Sequence, residues 1–362
     1  MLLRRFVIGL ALLLAPPAFA QDRVVNFLNW SDYIDPAVLE EFTKETGIKV
    51  VYDVTDSNES IEAKIITGNS GYDLAVPTGN FLQRQIKAGV YQPLDKSKLK
   101  NYGNLWPVVT KRLETFDPGL KYSIPYMFFT LGLAYNVDKV KEILGPDAKL
   151  TSWDLLFNPD YAKKLSKCGT QVLDSPEELL PTTLNYLKRD PNSSDPKDLE
   201  DARKAWAAIA KSVRKFSSAD YIDALANGDM CLVAGYSGDL LQAKKRAIEV
   251  KNGVNIEFVV PEEGAAILID AIAIPKDAPH PEEAHILLDF LMRPDIAARI
   301  TNFVQFANGN LASQSLIEPA IFKNPSIYPD DATLQRMFTI LPYDEKTRRT
   351  VTRLWTRIKT GR

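Results

Sequence analysis

Tyr122-Ser123-Ile124-Pro125-Tyr126-Met127-Phe128-Phe129-Thr130-Leu131-Gly132-Leu133-Ala134-Tyr135 is extended in character and rich in aromatics, and its reading decides the fold. Such a run fits a pleated, buried surface better than a helix. Before it lies a short alternating series of strands and helices, and after it a second one. A strand between two such series is expected to leave one half of the protein and enter the other. The chain then reads as an α/β protein of two halves. Its length agrees, because 362 residues exceed one comfortable hydrophobic core.

Working back from this strand, Val24–Leu28 reads as a buried strand. Pro36 opens a helix through Glu45, with Val38, Leu39 and Phe42 on one face and Gly47 as the stop. Ile48–Val54 is a second strand, and Asp56-Ser57-Asn58 offers caps for a helix carrying Ile61, Ile65 and Ile66. Asp73–Val76 is a third strand, followed by Pro77-Thr78-Gly79-Asn80 and a helix from about Phe81 to Ala88. Working forward, Gly169–Asp174, Met230–Ala234 and Gly264–Ile274 read as strands. Helices are expected over Asp198–Ser212, Ile222–Asn227, Asp239–Glu249 and Pro281–Met292, with further starts at Ser152-Trp153-Asp154 and at Ser175-Pro176-Glu177-Glu178. No internal repeat stands out.

The ends of these strands carry the chemistry, as expected where α/β proteins place ligand contacts. Trp30-Ser31-Asp32-Tyr33 offers two aromatic faces, a hydroxyl and a carboxylate, a set suited to an organic cation. Packing of the two rings and capping by Asp32 is the plainer alternative. Asp239 follows Tyr236-Ser237-Gly238, and Glu177 and Glu178 open a helix. The sharpest anomaly is Asp270, alone inside Ala265-Ala266-Ile267-Leu268-Ile269-Asp270-Ala271-Ile272-Ala273-Ile274. A carboxylate in a buried strand costs several kcal/mol unless a positive or hydrogen-bonding partner meets it. That partner is either a structural arginine or lysine, or the ammonium of a ligand.

At the N-terminus, Met1 to Arg5 is short and basic, Phe6 to Leu14 is apolar, and Ala18-Phe19-Ala20 has the form of a cleavage site. Residues 1–20 are therefore expected to be an export signal, too short to span a bilayer. Gln21 rather than cysteine follows, which argues against a lipid anchor. Residues 1–20 contain Arg4 and Arg5 and no acid. Their removal leaves 42 basic and 46 acidic residues, a formal charge of −4. That balance excludes a nucleic-acid binder built on a broad basic surface and leans towards a cationic partner. In an oxidising compartment Cys168 and Cys231, the only cysteines, most simply form one disulfide. A metal site or redox pair is the alternative, but there is no C-x-x-C and no histidine close by in sequence.

Catalytic motifs do not emerge. There is no G-x-S-x-G, no Gly-rich phosphate loop and no H-E-x-x-H. The two histidines, His280 and His285, are spaced poorly for a metal. Chemistry by carboxylates alone, as in a secreted hydrolase, is the surviving enzymatic alternative. The expectation is a binding protein, not an enzyme, with no cofactor and no metal.

Many segments in order resemble the polyamine-binding proteins of bacterial ABC importers. They include Asn29-Trp30-Ser31-Asp32-Tyr33-Ile34, Asp56-Ser57-Asn58-Glu59, Gln92-Pro93-Leu94-Asp95-Lys96, Tyr135-Asn136-Val137-Asp138-Lys139-Val140, Leu173-Asp174-Ser175-Pro176-Glu177-Glu178, Gly235-Tyr236-Ser237-Gly238-Asp239 and Phe306-Ala307-Asn308. The resemblance covers nearly the whole chain after the leader. It implies a two-lobed, type II periplasmic binding fold with ligand in the cleft, one lobe formed by 21–132 and 261–311 and the other by 133–260 and 312–362. It also implies an aromatic box of Trp30, Tyr33, Tyr236 and Phe306, acids at Asp32, Glu178, Asp239 and Asp270, polar contacts at Ser31 and Thr78, and a Cys168–Cys231 disulfide. The partners implied are a diamine or polyamine (putrescine, spermidine, agmatine or cadaverine) and an inner-membrane ABC permease, served by a periplasmic monomer. A receptor that presents its closed form to a membrane sensor is the alternative on the same scaffold. Three positions depart from the family pattern. Leu268 stands where an aromatic is usual, Tyr236 where tryptophan is common, and Phe306 where a tyrosine is common. All three shrink or depolarise the box and leave its acids intact.

Overall fold

The structure is a computed structural model and describes residues 23–361; the expected leader, 1–20, lies outside them. Eleven strands occur among the described residues: β1 (Val24–Trp30), β2 (Lys49–Thr55), β3 (Leu74–Ala75), β4 (Ser123–Asn136), β5 (Thr170–Val172), β6 (Lys215–Phe216), β7 (Leu232–Tyr236), β8 (Ile256–Val259), β9 (Ala266–Ala273), β10 (Ala307–Asn308) and β11 (Phe338–Thr339). The order β2-β1-β3-β9-β4-β7-β5-β6 runs through both halves. β1 pairs in parallel with β2 and β3, and β5 with β6 and β7, so each half holds the parallel core typical of α/β folding.

β4 joins the two halves as its sequence suggests. All fourteen of its residues are buried. From Ser123 to Thr130 it pairs antiparallel with β9, and from Leu131 onward with β7 on one side and β8 on the other. Gly132 is required there, because a Cβ would sit 2.5 Å from the Val259 carbonyl. The elements around β1, β2, β3 and β9 form one lobe, and those around β5, β6, β7 and β8 the other.

Local chemistry sets the helices that frame the cleft. Asp35 Oδ1 accepts from the Ala37 amide at 2.9 Å and caps the helix Pro36–Thr46, which Gly47 closes at φ 71°. Ser57 Oγ accepts from the Ser60 amide at 3.2 Å at the start of Asn58–Ile65. β1 extends two residues beyond the expected Leu28, so Trp30 ends a strand instead of lying in a loop.

The chain passes between the lobes a third time near its C-terminus. Tyr328 packs against Trp106 and Phe128 of the first lobe and against Phe322, and β11 adds in parallel to β9. The helix Glu345–Thr360 then lies on the second lobe, where Trp355 meets Trp206 and Phe216 edge-on and its indole donates to Asp174 Oδ1 at 2.6 Å. Cys168 and Cys231 are disulfide-bonded beside the paired β5 and β7.

Candidate functional site

The C-terminal ends of β1 and β3, the middle of β9 and the junction of β7 with the helix Ser237–Val250 converge on one cleft. It encloses a cavity of about 540 Å³, of a size for a small organic ligand. Trp30, Ser31, Asp32, Tyr33, Thr78, Tyr236, Asp239, Asp270 and Phe306 all line it. These nine come from distant points in the chain and from both lobes.

Asp270 is 2% exposed. β9 alternates faces, and the bulge opposite, between Pro125 and Met127 of β4, seats Asp270 against Met127. Thr78 Oγ1 donates to Asp270 Oδ1 at 2.7 Å and accepts from Asn58 Nδ2 at 2.9 Å. No arginine or lysine reaches Asp270 among the described residues. Burial therefore pushes its carboxyl up to about 7 against the opposing Thr78 hydrogen bond. Nearby, Trp30 Nε1 and Tyr33 Oη are buried without a hydrogen-bond partner among the described residues. A buried donor left unpaired is costly, and both belong to the cavity wall.

Asp239 opens the helix Ser237–Val250 and accepts from the Tyr221 hydroxyl. Burial again raises its carboxyl to about 7, with the Tyr221 hydrogen bond opposing and Asp32 reinforcing. Glu178 does not line the cavity but stands directly behind its wall, with Oε2 accepting from the Tyr236 hydroxyl at 2.7 Å and Oε1 unpaired. Burial lifts it to about 8. Its neighbour Glu177 has a different fate, held by Arg84 Nη1 at 2.7 and 2.9 Å.

Asp32 differs from the other acids. Its backbone is left-handed, at φ 54°, and its side chain is 46% exposed at the cleft mouth. Oδ1 accepts from Arg246 Nη2 at 2.7 Å, while Arg246 Nη1 meets Asp223 Oδ1 at 2.6 Å. Arg246 thus crosses from the second lobe to the first, and Asp32 already has a cation. Leu268 is 4% exposed and sits opposite Phe129 in the β4–β9 register, outside the cavity lining. Phe129 itself reaches the cavity, edge-on to Tyr236 at 5.2 Å and to Phe306 at 5.3 Å. Tyr33 meets Phe306 at 4.7 Å. The box is therefore closed by a phenylalanine of the crossing strand, which the sequence reading passed over although the strand's aromatic run contains it. It also passed over Tyr221 and Arg246, whose roles depend on a loop and a helix face meeting across the cleft.

Among the described residues Arg246 is the one basic side chain in the lining, and no group of acids, histidines and cysteines there is arranged to hold a metal ion. A buried carboxylate at Asp270, a half-buried one at Asp239, a third just behind them at Glu178, aromatic walls and unpaired buried donors make a slot that would receive an elongated organic cation. The ammonium groups would meet the acids, and the carbon chain would lie against the rings.

Residues 37–328 match the model of the family described as bacterial extracellular solute-binding protein. A putrescine-binding periplasmic protein of Pseudomonas aeruginosa is 50% identical over 343 residues, 95% of this chain and 94% of that protein. The putrescine-binding periplasmic protein of Escherichia coli is 46% identical over 344 residues, covering 95% and 93%. Among solved structures, a spermidine/putrescine ABC transporter substrate-binding protein from Streptococcus pneumoniae superposes with a TM-score of 0.75 at 28% identity, covering 93% of this chain and 99% of that one.

Proposed function

The chain belongs to the bacterial extracellular solute-binding proteins, and from that premise we propose that it captures a diamine or polyamine in the periplasm and hands it to an inner-membrane ABC permease. The observation that carries the ligand class is the burial of Asp270 and Glu178, with half-buried Asp239 beside them, around one aromatic-walled cavity, with no lysine or arginine on Asp270 or Glu178 among the described residues. Alkyl ammonium groups keep their protons to about pH 10, so a diamine brings two positive charges to these acids. Putrescine fits the names of the two relatives quoted above, and spermidine, agmatine and cadaverine share its chemistry.

Trp30, Tyr33, Tyr236, Phe129 and Phe306 wall the alkyl chain in this reading, Thr78 and Ser31 supply polar contacts, and Asp239 and Asp270 take the charges. Asp32 serves the mouth through Arg246. Closure follows as a population shift: ligand bridging both lobes favours the closed form by its differential affinity for it. The protein works as a monomer, and binding and release need no chemistry.

Calorimetric titration of chain unfolded and refolded to shed bound ligand, against putrescine, spermidine, agmatine and cadaverine, tests the reading. Micromolar or tighter binding of at least one amine is expected. Asp239→Asn and Asp270→Asn should each weaken it roughly tenfold or more, the scale of a charge-assisted hydrogen bond. Folded protein that gives no heat with any amine overturns the ligand class, and unchanged affinity in both variants overturns the site.

A further inference from the structure

The tetrapeptide Asp-Tyr-Ile-Asp occurs twice, as Asp32-Tyr33-Ile34-Asp35 and as Asp220-Tyr221-Ile222-Asp223. The sequence reading found no internal repeat, since four residues are too few to register until the structure shows their setting. That setting is duplicated. The first aspartate is left-handed in both, φ 54° at Asp32 and 59° at Asp220, a backbone uncommon for any residue but glycine. The tyrosine is 3% exposed in both. The last aspartate meets an arginine in both, Asp35 with Arg299 at 3.4 Å and Asp223 with Arg246 at 2.6 Å.

The two copies sit in opposite lobes, and Asp32 and Tyr33 of the first and all four residues of the second line the same cavity. Each tyrosine belongs to a different acid of the cavity wall. Tyr221 donates to Asp239, and the Tyr33 hydroxyl faces Asp270, short of a completed hydrogen bond yet near enough to oppose the rise of that carboxyl. Two acid–tyrosine pairs therefore look into one slot from its two sides, on the same local backbone.

We infer that Tyr221 with Asp239 is a second ammonium-reading half-site, equivalent to Tyr33 with Asp270, so that the cavity reads both ends of a symmetric diamine by duplicated chemistry. This rests on the amine reading above and adds to it a role for Tyr221 and a preference for ligands whose two ends are alike. Each tyrosine orients its carboxylate and supplies a hydroxyl oxygen as a further acceptor, which a desolvated ammonium needs besides its counter-charge.

Duplication has a signature that a merely structural tyrosine lacks. A monoamine fills one half-site only and can turn end for end. Tyr33→Phe and Tyr221→Phe should each weaken putrescine roughly tenfold, yet change n-butylamine binding by less than about threefold, within the cost of losing one of two orientations. The double variant should weaken n-butylamine as well. Affinities would be read by calorimetry for the diamine and ligand-observed NMR for the monoamine, with thermal melts confirming folded variants. Asp239→Asn and Asp270→Asn, run in parallel, should show the same diamine-against-monoamine split. Tyr221→Phe that binds putrescine as the parent does, or that weakens both amines equally, overturns the half-site. A parent protein that binds neither amine overturns the amine reading itself, and the half-site with it.

Discussion

Asp270 was legible from sequence because a lone carboxylate among nine apolar residues demands a partner, and in the folded chain Thr78 donates a hydrogen bond to it. Asp239, and Glu177 together with Glu178, were visible at helix starts, and the family resemblance alone singled out Glu178. Asp32 was visible as an acid but not as a paired one, because Arg246 lies 214 residues away on a helix whose pattern gives no hint of its reach. The raised carboxyls have a consequence for pH. In the empty protein Asp239 and Asp270 titrate near about 7, and in the unfolded chain near ~4. The folded state thus holds protons that the unfolded state has shed. Stability from these groups is full below about 4 and is lost as pH climbs through about 7. Binding runs the other way, since a dication needs both acids ionised. Amine affinity should rise between pH 5.5 and 8, with protons released on binding in the lower half of that range. Titration in two buffers of unlike ionisation heat measures that release, and equal heats at pH 6 would contradict it.

At the scale of elements, the expected strands and the helices of the first half are present within a few residues of their bounds, because hydrophobic period, caps and Gly stops agree there. The helices Pro107–Leu113, Val137–Leu144, Pro294–Val304 and Glu345–Thr360 went unread. The last is so polar that its buried stripe of Val351, Leu354, Trp355 and Ile358 is its sole apolar signal. β7 feeds directly into Ser237–Val250 without a loop, and this abrupt junction aims Tyr236 and Asp239 at one cavity. Gly238 makes room at the same point, for a Cβ there would lie 2.1 Å from the Phe306 ring. Gly238→Ala should push Phe306 into the slot and weaken amine binding roughly tenfold, an overpacking cost of about 1–3 kcal/mol. The added side chain should leave circular dichroism unchanged. Retained affinity would show that the ring moves aside freely.

For the whole molecule, the aromatic-rich run decided the architecture correctly: β4 belongs to both lobes. What sequence could not give is how the lobes hold each other. Arg246 grips Asp32 at the mouth. Arg84, stacked on Phe81 at 3.7 Å, joins Glu62 of its own lobe to Glu177 of the other. Both arginines tie one lobe to the other. Arg84→Met should leave the buried Glu177 unpaired and open the cleft sooner, raising the amine dissociation rate roughly tenfold, well short of the full ~3–5 kcal/mol for a deeply buried pair because Arg84 keeps some solvent. Stopped-flow release measures it, and an unchanged rate would remove Arg84 from the closing contacts. The threading of β9 also governs how the protein is born. β9 lies between β3 and β4 in the sheet, yet it is synthesised more than a hundred residues after either. Until it emerges, the first lobe lacks its middle strand. A ribosome adding about 5–20 residues per second therefore spins out most of this chain before any lobe can close, and leaves it a thread for much of its synthesis.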